Sequence, residues 1–340
     1  ICWGRNLYES LPNFDEPRPN RPGEEQNNSV PYRVPDLTGV VDISLYQQTG
    51  CALLADATAA CWGQAREGHL GDGVPVVTND DYYRGNTTPT PVVSTSGTGK
   101  LTDLTQITVG AQHVCAIDTA GTAYCWGLGT GPDQLGTGAT TGRHSIPAAV
   151  TTIPAGRTAV DIAPGPSSTC AVLDDATVQC WGFAADGIYS YLGDGDGDNG
   201  GVVMTDAAAT TPLTGIVEID AASEGYCALR DDATVWCWGR NTLGQLGDGT
   251  TEIRTHAVQV QHVTDVAEIS GGERNNCAIT TAGTATCWGW TRSWGPAVPE
   301  ADAPEVWTMP LAGRAVALDT TSDSTACWLL ENGFAMCAGW

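Results

Sequence analysis

The sequence predicts an all-β chain, a β-propeller of four-stranded blades, seven in number with six as the alternative count, each blade stapled by one cross-strand disulfide. Three observations lead there. Twelve of 13 cysteines fall into six pairs of constant spacing. The stretches between pairs repeat one order of apolar strands and glycine-bearing turns. Gly 42 and Pro 19 punctuate the 340 residues too often for long helices and too seldom for collagen. With 41% hydrophobic residues and 12 Trp, the chain has ample surface to bury and is not disordered.

The pairs are Cys51 and Cys61, Cys115 and Cys125, Cys170 and Cys180, Cys227 and Cys237, Cys277 and Cys287, and Cys327 and Cys337. If the fourth to sixth residues after each first cysteine form a three-residue hairpin loop, the two cysteines face each other across antiparallel strands. The sixth position must then take a left-handed backbone. It is Gly121, Gly283 and Gly333 in three copies and Ala57, Ala176 and Ala233 in the others, a mildly strained choice. Each disulfide closes a small loop and adds ~2–3 kcal/mol. Zinc ligands stand closer together and haem attachment needs a Cys-x-x-Cys-His run, which is absent, so disulfides are preferred over metal and over free buried cysteines. Oxidised pairs imply a secreted, extracellular, cell-surface or periplasmic location.

From second cysteine to second cysteine the repeats measure 59, 64, 55, 57, 50 and 50 residues, the size of a propeller blade. A single propeller domain over 1–340 divides into repeats at about 1–40, 41–104, 105–159, 160–215, 216–264, 265–314 and 315–340. Each opens on an apolar strand such as Ile216-Val217-Glu218-Ile219, continues through the cysteine hairpin and a glycine-rich loop, and ends on a Val-rich strand. Cys2, in Cys2-Trp3-Gly4, matches the second cysteine of a pair. The chain is therefore expected to begin and end inside repeats, with assembly through its ends and Cys2. Trp3, Trp62, Trp126, Trp181, Trp238 and Trp288 recur once per repeat at fixed register, which predicts a core layer rather than a sugar-binding ladder.

Cys237-Trp238-Gly239-Arg240-Asn241 followed by Gly244-Gln245-Leu246-Gly247-Asp248-Gly249-Thr250 resembles the regulator of chromosome condensation repeat. Weaker copies stand at Gly68-His69-Leu70-Gly71-Asp72-Gly73, Gln134-Leu135-Gly136-Thr137-Gly138 and Leu192-Gly193-Asp194-Gly195. The resemblance implies a β-propeller, usually of seven blades, and gives His113 a structural role. The signature is lost after Cys287, and Ala338 replaces the tryptophan of the last repeat. The paired cysteines resemble those of secreted bacterial members rather than the nuclear exchange factor.

Charge narrows the partners. Asp plus Glu number 39 against 15 Lys plus Arg, a net −24, so phosphate backbones are repelled and nucleic acid is excluded. No apolar run reaches membrane-spanning length, which argues against membrane insertion. The five histidines are scattered without metal spacing and no Gly-x-Ser-x-Gly occurs. The chain is expected to be non-enzymatic, an enzyme site assembled across blades being the alternative.

Two sets of binding candidates remain. Asp194, Asp196 and Asp198 alternate along one loop as calcium ligands do, although Asp194 belongs to the repeat signature and a solvated acidic turn is the preferred reading of the run. Calcium is thus the one cofactor considered, and none is required. The loops after each second cysteine vary in length and hold Tyr82, Tyr83, Arg84, Tyr189, Tyr191, Trp290 and Trp294, residue types that anchor protein interfaces. A module that grips a protein or glycan partner on this face is the expected function, and a structural subunit of an extracellular assembly or filament is the alternative.

Overall fold

The structure, a computed structural model, describes residues 2–6, 26–47, 49–65, 67–76, 85–129, 133–138, 141–182, 192–195, 201–205, 208, 210–222, 225–272, 274–290, 306–320 and 325–338. Strands and turns account for all regular structure among them; none is helical, so no helix is long and apolar enough to cross a membrane. The chain forms two compact units, residues 1–130 with 137–151, and 131–136 with 152–340.

The first unit holds a two-stranded antiparallel sheet, β1 (Cys2–Asn6) with β2 (Gln26–Tyr32), and two four-stranded sheets. One is β3 (Val40–Tyr46), β4 (Thr49–Leu54), β5 (Ala59–Gln64) and β6 (Gly85–Pro91); the other is β7 (Leu104–Val109), β8 (His113–Asp118), β9 (Ala123–Gly129) and β10 (Gly142–Ala149). In the second unit, β11 (Ala159–Pro164), β12 (Ser168–Leu173) and β13 (Val178–Gly182) make a three-stranded sheet. A bridge from Gln179 to Val202 and the bond from Val203 N to Val178 O, 2.9 Å, stand where a fourth strand runs elsewhere. Two four-stranded sheets follow: β14 (Ile216–Ala222), β15 (Gly225–Arg230), β16 (Val235–Gly239) and β17 (Arg254–Gln259), then β18 (Val266–Gly271), β19 (Asn275–Thr280), β20 (Ala285–Gly289) and β21 (Val306–Thr308). The chain closes on β22 (Ala315–Thr320), β23 (Ala326–Leu330) and β24 (Ala335–Ala338).

Every sheet is a meander of sequential antiparallel neighbours, as hairpin-linked strands with short loops must be. Six of them contain a disulfide, among the described residues, and these pair the cysteines expected: in each hairpin the two Cα atoms are direct cross-strand partners. The disulfide-bearing sheets therefore number six, the alternative count, and β1–β2 is a further sheet beside them.

The loops follow the expected geometry. In the β4–β5 hairpin Ala57 N donates to Leu54 O at 2.9 Å and Leu54 N to Thr58 O at 2.8 Å, leaving three residues in the turn. The sixth position has positive φ in all six copies: 57° at Ala57, 61° at Ala176 and 62° at Ala233, against 76–82° at Gly121, Gly283 and Gly333. The three alanines share a compensation. Each stands between an Asp and a Thr, and the Asp carboxylate accepts from both the Thr amide and hydroxyl: Asp56 from Thr58, Asp175 from Thr177, Asp232 from Thr234. That clamp holds each of these carboxyls below the usual aspartate range.

The core is built of repeating layers. Trp62, Trp126, Trp181, Trp238 and Trp288 are buried, as the fixed register implies. Where Ala338 replaces the tryptophan, Trp328 on the neighbouring strand β23 is buried instead, against Cys277, Met309 and Leu330. His113 is fully buried, and burial together with nearby His69 pushes its imidazole down to about 3, so it is a neutral core residue.

Candidate functional site

The signature loop after Cys237 is a rigid platform made by its own side chains. Asn241, buried between β16 and β17, donates from Nδ2 to Asp248 Oδ1 at 3.0 Å and to Thr250 O at 3.0 Å, while its Oδ1 accepts from Leu246 N at 2.9 Å. Asp248 also accepts from Thr250 N and Oγ1 and forms an ion pair with Arg254, 2.7 Å from Nη2 to Oδ2. Burial would raise this carboxyl, but the hydrogen bonds from Thr250 and Arg254 outweigh it and hold the group below its usual value. The glycines of the loop let it approach the tryptophan of the following repeat. At Gly247, with φ of 61°, a β-carbon would stand 3.0 Å from Trp288 Cδ1; Gly193 meets Trp238 and Gly136 meets Trp181 in the same way.

The platform positions a small crevice lined by Ala222, Gly225, Tyr226, Arg240, Gln245 and Asn276. Tyr226 stacks on Trp238, centroids 5.8 Å apart, and its hydroxyl shares a hydrogen bond with Ser168 at 2.8 Å. Asn276 Nδ2 donates to the carbonyl of Gln245 at 2.8 Å. Asn276 Oδ1 and both amide atoms of neighbouring Asn275 are buried and find no hydrogen-bond partner among the described residues. Beside them Arg274 is exposed, its guanidinium 5.0 Å above the ring of Trp290, and the Trp290 amide donates to Arg274 O at 2.9 Å. Arg240 and Trp290 occupy the same register, one residue past the Trp-Gly pair of consecutive repeats. The result is a cationic and aromatic patch on a chain of net charge −24.

Of the binding residues expected from sequence, the structure places Trp290 in this patch. Tyr82, Tyr83, Arg84, Tyr189, Tyr191 and Trp294 lie outside the described residues, as do Asp196 and Asp198. Asp194 is buried and bridges to His256, in the signature position that Asp248 fills one repeat later.

Sequence reasoning missed a second group, the polar side chains of the first strands. Asp161 Oδ2 accepts from Ile219 N at 2.7 Å, Glu218 Oε1 from Ile269 N at 3.2 Å and Glu268 Oε1 from Leu318 N at 3.0 Å. Two residues further along, Asp220 Oδ2 accepts from Gly271 N at 2.8 Å and Ser270 Oγ from Thr320 N at 3.0 Å. Ser44 Oγ repeats the contact with Val109 N in the first unit. Each side chain thus satisfies an amide on the free edge of the next first strand, which also blocks that edge from pairing elsewhere. The signal was present as an acid inside an apolar run, Val160-Asp161-Ile162 or Val217-Glu218-Ile219.

Models of the Regulator of chromosome condensation (RCC1) repeat match residues 232–279, and 104–130 with 216–245. The stretch 216–279 contains the platform and the hairpin of Cys227 and Cys237 and reaches Cys277 of the next, and 104–130 contains the hairpin of Cys115 and Cys125. The repeat is that of the regulator of chromosome condensation family. The E3 ubiquitin-protein ligase HERC2 of Homo sapiens and that of Mus musculus are each 28% identical to this chain over 204 residues, 59% of its length. The match spans 4% of the length of those relatives. Among solved structures, Prp20p from Saccharomyces cerevisiae, described with its binding to Gsp1p and histones, superimposes with a TM-score of 0.74 at 16% identity, covering 99% of this chain and 80% of that one. Human WBSCR16 gives 0.73 at 19% identity, covering 97% and 81%. At such identities the likeness shows the fold, an RCC1-type β-propeller.

Proposed function

We propose that this RCC1-repeat chain is a non-enzymatic protein-binding module of an oxidising extracellular compartment, and that it holds its partner by the loops following the second cysteines. The observation that carries this reading is the Arg274–Trp290 pair beside Arg240 and the Asn276 crevice. Exposed Arg beside a half-buried Trp on a rigid support presents the residue types that dominate protein interfaces, and a stacked guanidinium is already ordered before binding. The carboxyls of Glu218 and Asp220 in the first strands are engaged with backbone amides, a structural use that supports a binding rather than a catalytic role. The six disulfides support the compartment. Counting β1–β2 as the outer half of another blade keeps seven blades as our reading beside the six disulfide-bearing sheets. The test is partner capture by photo-crosslinking from a probe at Trp290 or Thr242, followed by affinity measurement with the purified partner. Arg274→Glu and Trp290→Ala should each weaken that affinity at least tenfold; unchanged affinity assigns the partner to another face.

A further inference from the structure

The first strands are equivalent from repeat to repeat, because each begins opposite the last residue of its hairpin partner: Val40 with Leu54, Leu104 with Asp118, Ile216 with Arg230, Val266 with Thr280. In the later strands the apolar positions are core. Leu104 and Ile107 in β7, Ile216 and Ile219 in β14, and Val266 and Ile269 in β18 are 1–4% exposed. What covers them is constant: the first two strands of the preceding sheet, β3 and β4 on β7, β11 and β12 on β14, β14 and β15 on β18, β18 and β19 on β22. In β3 the same two positions are open, with Val40 at 37% and Ile43 at 41% exposed, and so is Leu45 at 54%, whose counterpart Val109 in β7 is 5% exposed. The amides at the Ile43 position fall in two sets. Ile219 N, Ile269 N and Leu318 N donate to an acid of the preceding sheet, whereas Ile43 N donates to its own neighbour Asp42 at 2.8 Å, as the buried Ile162 N does to Asp161 at 2.9 Å, so exposure rather than this bond marks the open face.

We propose that the open face of β3 is a docking surface for a β-hairpin of this same repeat type, its first strand with an acid two residues after its opening apolar residue, aimed at Ile43 N, and apolar residues from both strands covering Val40, Ile43 and Leu45. Repeat equivalence fixes the occupant, since that pattern covers each of the equivalent faces named above. The surface shares no residue with the proposed partner site, so either can fail without the other. Val41 supplies an internal control. Its counterparts Val217 and Val316 stay exposed although their strands are covered, so Val41 lies outside the docked area.

The experiment uses the 340-residue protein and a fluorescent synthetic peptide with the sequence of residues 216–230, Cys227 replaced by Ser, read by anisotropy. Saturable binding is expected, weakened at least tenfold by Ile43→Asp with Leu45→Asp and within twofold of wild type in Val41→Asp. Loss of binding when the glutamate equivalent to Glu218 in the peptide is changed to leucine would confirm the amide contact. Absence of binding at 100-fold molar excess of peptide overturns the proposal, as does equal weakening by Val41→Asp. A dimer in sedimentation that the Ile43→Asp, Leu45→Asp variant abolishes also overturns it, assigning the face to a second copy of the chain.

Discussion

The indole of Trp238 closes on Gly193 so tightly that a β-carbon at the glycine would stand 2.7 Å from Cδ1, at a backbone φ of 77°. The signature glycine of one repeat and the tryptophan of the next are thus one packing unit. Gly193→Ala must push the indole away and hold a left-handed alanine. We expect a loss of ~2–3 kcal/mol in urea unfolding, from overpacking and backbone strain together. Trp238→Ala, which leaves a cavity, should cost ~3–5 kcal/mol. If Gly193→Ala unfolds at the wild-type midpoint, the contact is looser than described.

Asp232 and Thr234 make the opposite trade at the hairpin tips. Ala233 takes a left-handed backbone and the Asp–Thr clamp holds it there. Ala233→Gly should therefore raise stability by ~1 kcal/mol, because strain is removed while the clamp remains. Thr234→Val should lower it by ~1 kcal/mol through loss of the hydroxyl bond. A thermal melt of both variants checks the pair; destabilisation by Ala233→Gly would show that unfolded-state entropy outweighs the strain.

The hairpins themselves were legible because their chemistry is local. A cysteine at each end of a ten-residue step and a glycine or alanine at the sixth position determine register, loop length and left-handed residue without reference to the rest of the chain. The buried tryptophans followed from period alone. What stayed hidden depends on contacts between segments that the local pattern does not link: the acceptor role of Glu218 for Ile269 N, the burial of Trp328 where Ala338 replaces the tryptophan, and the pairing of Arg274 with Trp290. In sequence Glu218 and Asp161 are merely acids in strands. Only the neighbouring strand's free edge gives them a task. Similarly, Val40 and Ile43 stand at positions equivalent to the buried Leu104 and Ile107, and nothing in the sequence reveals that the face of β3 is open.

Disulfide mapping should recover each Cys-to-Cys hairpin as one cross-linked fragment without reduction. Replacing Cys227 and Cys237 together by Ser should cost ~2–3 kcal/mol, the loop-closure contribution of a short hairpin. Free thiols at most of the twelve positions would remove the argument for an oxidising compartment.

Calcium at the loop of Asp194, Asp196 and Asp198 is testable by calorimetry. Weak binding, Kd ~10⁻⁴ M, lost in Asp196→Ala, is the expected result for a loop with alternating carboxylates. No heat at millimolar calcium leaves Asp194 with the structural part that Asp248 plays in its own repeat.

Stability should fall as pH rises through neutrality, and the first-strand acids are the cause. Burial raises Glu218 to about 8, against a hydrogen bond from Ile269 N, with the charges of Asp161, Asp220 and Glu268 adding to the rise. Burial likewise raises Asp220 to about 7, with Asp319 and Asp161 adding, although amides of Gly271 and Ala221 pull it down. In the unfolded chain these groups titrate near 4.5 and 3.8. Between those values and the folded ones the native state holds the proton and the unfolded state has released it, so the slope of unfolding free energy with pH is negative. Their contribution is fully present below about pH 4 and is lost by about pH 8. The net charge of −24 gives a parallel trend through general repulsion, so the variants decide. Urea midpoints at pH 5, 6.5 and 8 should fall steadily in the wild type. In Glu218→Gln with Asp220→Asn, which keep an oxygen acceptor but cannot ionise, the fall should flatten, with the largest gain in stability at pH 8. An undiminished slope in the double variant would transfer the effect to the surface charge as a whole.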